Sequence, residues 1–179
     1  MNSKLIILGC GSSVGVPRID GYWGKCKNKK KNIRTRCSSI IIRGSNSILI
    51  DTSPDIRKQF LSNKIKDISS VLITHKHADQ THGLFELRPF FWKYNKKINI
   101  YSDSSTIKYL KNNQKYLFKK TEGYAPILKA NIVKNKFSLG KSNEKIIIRS
   151  VLVKHGKIKS LIYVFNKTAY ISDCNDLSI

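Results

Sequence analysis

Short apolar runs, rich in β-branched residues, alternate with polar segments along the chain. Runs of this length that are bounded by Gly, Asn, Ser or Asp predict β-strands. The predicted strands are Leu5–Leu8, Ser39–Ile42, Ile48–Ile50, Val71–Ile73, Ile98–Tyr101, Lys145–Val153, Leu161–Phe165 and Ala169–Ile171. The predicted helices are Pro54–Leu61, which begins with a proline, Leu84–Trp92 and Ser105–Leu110. Strands with helices between them predict a layered α/β protein, with the strands buried and the helices outside.

Length and composition fit one domain that spans residues 1–179, because 40% of the 179 residues are hydrophobic. No apolar run approaches the ~18 residues of a membrane helix, and the short run after Lys4 is typical of a first strand rather than a signal peptide. The four cysteines include no Cys-x-x-Cys pair, so we interpret them as free thiols in a reducing compartment. Together these features predict a cytoplasmic protein that has no membrane partner.

The formal net charge is +23, with 34 Lys and Arg against 11 Asp and Glu. Such a charge is typical of proteins that bind nucleic acid, because Lys and Arg neutralise phosphates. The alternative is a compositional bias, since Lys, Asn and Ile recur along the whole chain rather than in one patch. Under either interpretation the positive field favours an anionic substrate.

Two irregular segments stand out between the predicted elements. Gly9–Pro17 is rich in Gly and Ser, but it lacks the Gly-Lys-Ser/Thr of a P-loop and the dinucleotide-binding fingerprint. Gly21–Arg36 is long, basic and irregular, which predicts an extended surface loop near a functional site.

One stretch carries most of the candidate chemistry. It reads Val71-Leu72-Ile73-Thr74-His75-Lys76-His77-Ala78-Asp79-Gln80-Thr81-His82-Gly83. An apolar strand runs directly into His-x-His-x-Asp, and three of the four histidines lie within eight residues. Imidazole and carboxylate ligands at this spacing suit zinc, manganese or iron, and the carboxyl end of a strand is where α/β proteins place their sites. The pattern therefore predicts a metal site rather than a solvated polar turn.

This stretch resembles the signature loop of the metallo-β-lactamase superfamily, in particular the branch of PhnP-like phosphodiesterases and, more distantly, tRNase Z. Other segments resemble the same branch: Leu8–Ser13 with Gly15–Pro17, Ile48–Asp55, His82–Leu84 with Glu86–Arg88, Val153–Gly156 and Tyr170–Asp173. The resemblance implies an α/β fold of the four-layer αβ/βα sandwich type.

The resemblance also implies the site residues. The implied metal ligands are His75, His77, Asp79, His155 and Asp173. The histidines correspond to the three imidazoles of the first metal, Asp79 to the second metal's own carboxylate, and Asp173 to the carboxylate that bridges both metals. The two aspartates are also the implied catalytic residues. Asp51 corresponds to a buried aspartate that orients the histidine loop without binding metal, because ligating imidazoles need hydrogen-bond acceptors behind them.

The chain departs from the family pattern at two points. Gln80 stands where many members have a further histidine, and His82, two residues on, is the candidate that would replace it as a ligand. Family domains also continue past the bridging aspartate with strands, a helix and a final histidine, whereas this sequence ends at Ile179. We therefore expect a domain truncated at the C-terminus, with one firm metal site and a weak second site.

The activity that the resemblance implies is that of a metal-dependent hydrolase, specifically a phosphoric diester hydrolase. A metal-activated hydroxide would attack a small cyclic or nucleotide-derived phosphodiester, with Zn²⁺ as the expected ion and Mn²⁺ as the alternative. Substrate contacts are expected from Ser12, Ser13, Arg18 and Arg88. Two alternatives stay open: an RNA-processing nuclease like tRNase Z, with Gly21–Arg36 as its RNA-clamping arm, and a truncated, non-catalytic basic domain that binds nucleic acid.

Overall fold

The computed structural model describes residues 2–177 as ten strands and four α-helices. The strands are β1 (Lys4–Gly9), β2 (Ser38–Arg43), β3 (Asn46–Ile50), β4 (Ser70–Leu72), β5 (Ile98–Ser102), β6 (Leu128–Ile132), β7 (Lys136–Leu139), β8 (Ile146–His155), β9 (Ile158–Phe165) and β10 (Thr168–Tyr170). The α-helices are α1 (Ile56–Ser62), α2 (Ala78–Thr81), α3 (Arg88–Tyr94) and α4 (Ser104–Asn113), and 3-10 turns lie at Lys30–Asn32, Leu84–Leu87, Lys115–Leu117 and Ser142–Glu144.

The first sheet has six strands in the order β1-β2-β3-β4-β5-β6. β1 to β3 are antiparallel, and β3 to β6 are parallel. The short parallel strands are apolar on both faces, as expected for strands covered on both sides: Ile48, Leu49, Ile50, Val71 and Leu72 are all fully buried. The parallel arrangement brings the carboxyl ends of β3 and β4 to one edge of the sheet, where Asp51 and Thr74 follow.

The second sheet has four antiparallel strands in the order β10-β9-β8-β7. It faces the first sheet across an apolar cluster in which Ile48, Ile50 and Leu72 meet Ile148, Tyr163 and other residues of the second sheet. A separate cluster packs α1, α4 and the Leu84–Leu87 turn against the other face of the six-stranded sheet. The observed order of layers is helices, six-stranded sheet and four-stranded sheet, which agrees with the predicted layered α/β protein.

Two strands were not predicted from the sequence. β6 (Leu-Lys-Ala-Asn-Ile) and β7 (Lys-Phe-Ser-Leu) are short and carry Lys, Asn or Ser within the run, so that neither gives a clean apolar signal. The predicted helix Leu84–Trp92 is in fact a 3-10 turn followed by α3, and Pro89 lies in the first turn of α3. Proline is tolerated at such a helix start and disrupts a helix interior, which explains the division.

Two further findings concern membrane-spanning helices and the cysteines. No helix within residues 2–177 has the length and hydrophobicity needed to cross a membrane. Cys10, Cys26, Cys37 and Cys174 are free thiols, as predicted.

Candidate metal centre

Three histidines from different parts of the chain meet at one edge of the two sheets. His75 and His77 follow β4, and His155 ends β8. Nε2 of His75 lies 3.0 Å from Nδ1 of His77, and Nε2 of His155 lies 3.3 Å from the same Nδ1. One ring nitrogen from each histidine lies within 4.8 Å of the others. Two nitrogens on a tetrahedral zinc with bonds of ~2.0 Å are separated by roughly 3.3 Å, so the spacing fits a metal ion.

Two cross-sheet hydrogen bonds explain why β8 delivers its histidine to this point. The backbone N–H of Leu161 in β9 donates to the carbonyl of Thr74 at 2.9 Å, and the hydroxyl of Tyr163 donates to the carbonyl of Ile73 at 2.8 Å. These bonds fix β9 against the end of β4. Because β8 pairs with β9 up to the register His155↔Ile158, the end of β8 comes to lie beside the histidine loop.

The Nδ1 side of the buried His75 ring, away from the other histidines, lies against two hydroxyl groups. Its Nδ1 lies 3.0 Å from Oγ1 of Thr74 and 3.5 Å from Oγ of Ser160. Burial, together with the charge of the neighbouring His77, lowers the pKa of His75 to about 4, so this ring is neutral near pH 7. A neutral ring whose Nδ1–H is donated to a hydroxyl presents the Nε2 lone pair toward the other histidines, as a metal ligand requires.

Asp51 supports the histidine loop through Thr74. Its Oδ1 accepts the backbone N–H of Thr74 at 2.8 Å, and the Thr74 hydroxyl lies 3.0 Å from both carboxyl oxygens. Asp51 is fully buried and has a φ of 59°, a left-handed backbone that costs energy for a non-glycine residue and is typical of functional sites. Burial raises its pKa to about 8, against the lowering effect of the hydrogen bonds from Thr74.

The segment after β3 also clamps the far end of the loop. Thr52 donates its N–H and its hydroxyl to the carbonyl of Gln80, at 2.7 and 3.1 Å, and Gly83 N–H donates to the carbonyl of Thr52 at 2.9 Å. A Cβ on Gly83 would lie 2.2 Å from the carbonyl oxygen of Ser53. Glycine is therefore required at this position by the close approach of the two backbones.

A carboxylate pair lies next to the histidines, and Gln80 connects its two members. Nε2 of Gln80 lies 3.0 Å from Oδ2 of Asp79 and 3.4 Å from Oδ2 of Asp173. Asp173 in turn lies 3.7 Å from Nε2 of His75. Gln80 is buried, and its Oε1 has no hydrogen-bond partner among the described residues. The side-chain amide thus places its donor at the carboxylates, and its acceptor has no partner within residues 2–177.

A family model described as "Beta-lactamase superfamily domain" matches residues 46–178 of the chain. The chain belongs to the beta-lactamase superfamily. The predicted family is therefore confirmed, and so is the metallo-β-lactamase type of α/β fold. Of the four predicted layers, residues 2–177 form three, because no α-helix of the described residues covers the outer face of the four-stranded sheet.

Solved structures give the same result. A new diphosphatase from the PhnP family is 28% identical, with a TM-score of 0.80 over 98% of this chain and 68% of that chain. Zn²⁺-bound PqqB from Methylobacterium extorquens is 17% identical, with a TM-score of 0.68 over 94% of this chain and 61% of that one. The short form of human tRNase Z is 14% identical, with a TM-score of 0.60 over 94% of this chain and 67% of that one. The last two likenesses show the fold alone.

One relative of the chain is a much longer protein, and the chain matches only part of it. The octanoyltransferase of Porphyromonas gingivalis is 30% identical over 178 residues, which are 98% of this chain and 35% of that protein. The chain thus spans about a third of the length of the curated relative that it matches.

The other sequence-predicted site residues lie outside the histidine cluster. His82 follows α2 as its C-cap, with an exposed side chain, and is not one of the three clustered histidines. Ser12 and Ser13 are exposed on the loop after β1. Arg18 is paired with Asp20 and lies over the ring of Tyr22. Arg88 lies over the ring of Tyr124, 4.4 Å from its centroid.

Several residues that shape the centre were not singled out from the sequence. Three hydroxyl groups surround the ring of His75 or its supporting aspartate. They belong to Thr74 and Ser172, whose hydroxyls lie 3.2 Å apart, and to Ser160. The thiol of Cys37 also lies close, and burial together with the charge of Asp51 raises its pKa to about 11, so it stays protonated and is a poor nucleophile. Thr74 and Ser172 each adjoin an implied ligand in the chain, and this adjacency is the signal that could have identified them.

Proposed function

We propose that the chain is a metal-dependent hydrolase that cleaves a phosphodiester in a small cyclic or nucleotide-derived substrate. The observation that carries the proposal is the convergence of His75, His77 and His155 within 4.8 Å of one another. Three imidazoles form a ligand set that leaves a coordination position open for water, as in catalytic zinc sites. Zn²⁺ is the ion that we propose, with Mn²⁺ as the alternative.

The proposed metal would contribute the part of the chemistry that side chains alone cannot. When bound, zinc would supply a Lewis acid and would lower the pKa of a coordinated water to about 7. The protein's own residues would position the reaction. The Thr74 hydroxyl would hold the tautomer of His75, and Asp173, whose Oδ2 lies 3.7 Å from Nε2 of His75, is the carboxylate that we propose to accept a proton from the attacking water. Asp79 and Asp173 are the carboxylates that we propose as catalytic.

We further propose that one metal is held firmly and a second weakly. Asp79, Asp173 and the amide of Gln80 would offer a second ion only oxygen donors, a set that favours hard cations over zinc. The amide donor of Gln80 already interacts with both carboxylates. A second cation would have to displace that donor or turn the amide so that Oε1 faces the cation.

An anionic substrate is supported by two independent features. The net charge of +23 raises the local concentration of anions. The similar solved structure at 28% identity carries the name diphosphatase, an activity on phosphate linkages. Ser12, Ser13, Arg18 and Arg88 remain our proposals for substrate contacts. A cytoplasmic location also remains a proposal.

A substrate screen tests the proposal directly. An aryl phosphodiester, a cyclic nucleotide, a β-lactam, an octanoyl thioester and a structured RNA would be incubated with the chain and added Zn²⁺ or Mn²⁺. The thioester is included because the curated relative is named an octanoyltransferase. We expect the phosphodiester or the cyclic nucleotide to turn over fastest, and His77→Ala to abolish that turnover while His82→Ala retains it. Faster cleavage of the β-lactam or the thioester would contradict the proposal, and exclusive cleavage of RNA would favour the nuclease alternative.

A further inference from the structure

Three aromatic rings and one guanidinium group form a cluster on the protein surface. Arg88 begins α3, and its guanidinium carbon lies 4.4 Å from the ring centroid of Tyr124 and 5.9 Å from the ring centroid of Trp92. The rings of Tyr124 and Tyr116 are nearly perpendicular, with their centroids 6.0 Å apart. We call these four residues the aromatic cluster. It joins α3 to the segment between α4 and β6, which carries both tyrosines.

The three rings of the aromatic cluster are exposed to solvent. The exposed fraction is 66% for Trp92, 47% for Tyr124 and 38% for Tyr116. Single apolar side chains on a protein surface are ordinary, whereas neighbouring exposed rings with polar groups around them are typical of an interaction site. The rings are therefore available to a partner.

The two segments that carry the aromatic cluster are basic. Residues 84–94 and 115–124 contain five basic side chains against two acidic ones: Arg88, Lys93, Lys115, Lys119 and Lys120 against Glu86 and Glu122. All four lysines are exposed. Such lysines alone would attract any anion. Their combination with exposed rings is more selective, because surfaces that bind single-stranded nucleic acid pair cations for the phosphates with rings on which the bases stack.

Two observations favour RNA over the other partners of such a surface. Trp, Tyr and Arg are also enriched where proteins contact one another, but a net charge of +23 opposes the association of two copies of this chain. Tyr116 and Tyr124 carry hydroxyl groups that can form hydrogen bonds with a ribose 2′-hydroxyl, the group that distinguishes RNA from DNA.

We propose that the aromatic cluster is a binding surface for single-stranded RNA. Bases would stack on the exposed rings, and the phosphates would lie near Arg88 and the neighbouring lysines. A duplex would bind poorly, because its bases are already stacked on one another. Binding of RNA here goes beyond the hydrolase activity and is independent of the chemistry at the histidines.

Fluorescence anisotropy of a short labelled oligouridine RNA, titrated with the zinc-loaded chain, tests the proposal. A gel of the probe after each titration checks that it stays intact. We expect Trp92→Leu and Tyr124→Leu each to weaken binding on the order of fivefold or more, because each removes a stacking surface and leaves the charge unchanged. Single-stranded DNA of the same length and an RNA duplex should both bind more weakly than the oligouridine.

Tyr94→Leu is the matched control. Tyr94 lies on the same helix, is 48% exposed and has Nζ of Lys93 4.7 Å from its ring centroid, but it has no ring contact with the aromatic cluster. Its replacement should leave the RNA affinity within about twofold, since no base is expected to stack on it. Melting temperatures of all three variants check that each one is folded.

Tryptophan fluorescence provides a readout that a purely structural role of the aromatic cluster would not change. Trp23 is the other tryptophan of the chain, so Trp23→Phe leaves emission from Trp92 alone. We expect RNA to quench this emission, with a midpoint that agrees with the anisotropy titration. The measurement keeps all four cluster residues in place and therefore does not depend on the stability of the Leu variants.

Four results would overturn the proposal. Losses of affinity in Trp92→Leu and Tyr124→Leu no larger than the loss in Tyr94→Leu would show attraction by charge alone. Unquenched emission at saturating RNA would place the RNA on another surface, such as the Gly21–Arg36 loop. Equal affinity for single-stranded DNA would contradict the assignment to RNA. A dimer that Trp92→Leu dissociates and RNA does not would show that the aromatic cluster is an interface between two copies.

Discussion

The histidine cluster and the neighbouring carboxylate pair share the loop after β4, and each is completed by one residue from the second sheet or the segment after it, His155 or Asp173. They differ in how far they are prepared for a metal. The three imidazoles already face one another, and the ring of His75 is fixed from behind by Thr74 and Ser160. The carboxylates of Asp79 and Asp173 are instead joined by the amide of Gln80. A preorganised ligand set pays little to bind an ion, whereas a set that is already hydrogen-bonded must first be rearranged. We therefore propose that a single residue, Gln80, accounts for the difference between a strong site and a weak one.

Gln80→His would remove this difference and is expected to have the largest effect. An imidazole in place of the amide adds a nitrogen ligand beside the two carboxylates, which suits zinc better than oxygen donors alone. We expect zinc content to rise from one equivalent per chain to two, as measured by elemental analysis and calorimetry. Two tight equivalents in the unmodified chain would show that Gln80 does not weaken the second site.

Gly83→Ala should affect both sites together, because it acts on the backbone beneath the loop. The added Cβ would lie 2.2 Å from the carbonyl oxygen of Ser53, so backbone must move. Overpacking of this kind costs about 1–3 kcal/mol and occasionally more. Chemical denaturation should show a loss of about 3 kcal/mol in the free energy of unfolding. The comparison variant is Gly123→Ala, where a Cβ meets nothing within 4 Å but a φ of +72° strains any non-glycine residue by roughly 1 kcal/mol. A loss at Gly83 no larger than the loss at Gly123 would contradict an effect of the close approach.

Thr74→Val should weaken the histidine site while leaving all three ligands in place. The substitution keeps the shape of the side chain but removes the hydroxyl that connects Asp51 with Nδ1 of His75. Loss of such supporting partners costs ~10–100-fold in metal affinity. Competition with a zinc chelator measures the change, and Thr121→Val, well away from the loop in the sequence, is a suitable control. An unchanged zinc affinity would mean that burial alone orients His75.

The ion pair between Arg36 and Asp55 connects the loop after β1 to the start of α1. Removing this pair should cause the smallest of the expected changes, a small loss in the free energy of unfolding. Nε and Nη2 of Arg36 lie 2.9 and 2.7 Å from the two carboxylate oxygens of Asp55. The guanidinium lowers the pKa of Asp55 in the folded chain. The resulting stability is therefore present above about pH 4, the ordinary pKa of an aspartate, and is lost as the pH falls through the lower folded-state pKa.

Asp55→Asn should accordingly lower the free energy of unfolding by about 1 kcal/mol at pH 7, allowing for solvent screening of a partly exposed pair. The difference from the unmodified chain should shrink below about pH 4. Denaturation curves at several pH values measure it. A difference that stays constant down to pH 2 would show that the lost contribution is packing rather than charge.

The sequence predicted the strands whose apolar runs are unbroken and missed those whose faces are mixed. β3 and β4 are covered on both sides, so Ile48–Ile50 and Val71–Leu72 give continuous apolar runs. β6 and β7 carry Lys, Asn and Ser among their apolar residues and give no comparable signal. In β8 the alternation is clear in the structure, since Ile146 and Ile148 are buried and Ile147 between them is 56% exposed, but Ile-Ile-Ile alone does not reveal it.

The histidine loop was recognisable from its spacing, whereas the position of His155 depended on family resemblance. Nothing local distinguishes a histidine at the end of β8 from one on any exposed strand. Its place is set by the hydrogen bonds of Leu161 and Tyr163 to the end of β4, which are contacts between residues about 90 positions apart. The orientation of Gln80 toward both carboxylates is equally non-local, because Asp173 lies 93 residues further along the chain.

The metal content of the purified chain and of two histidine variants tests the central claim most directly. The protein would be purified without chelator and analysed for zinc and manganese, together with His77→Ala and the control His82→Ala. The account predicts one firmly bound equivalent in the unmodified chain and in His82→Ala, and loss of that metal in His77→Ala. Equal metal content in the unmodified chain and in His77→Ala, or loss of metal in His82→Ala alone, would contradict a centre built from His75, His77 and His155.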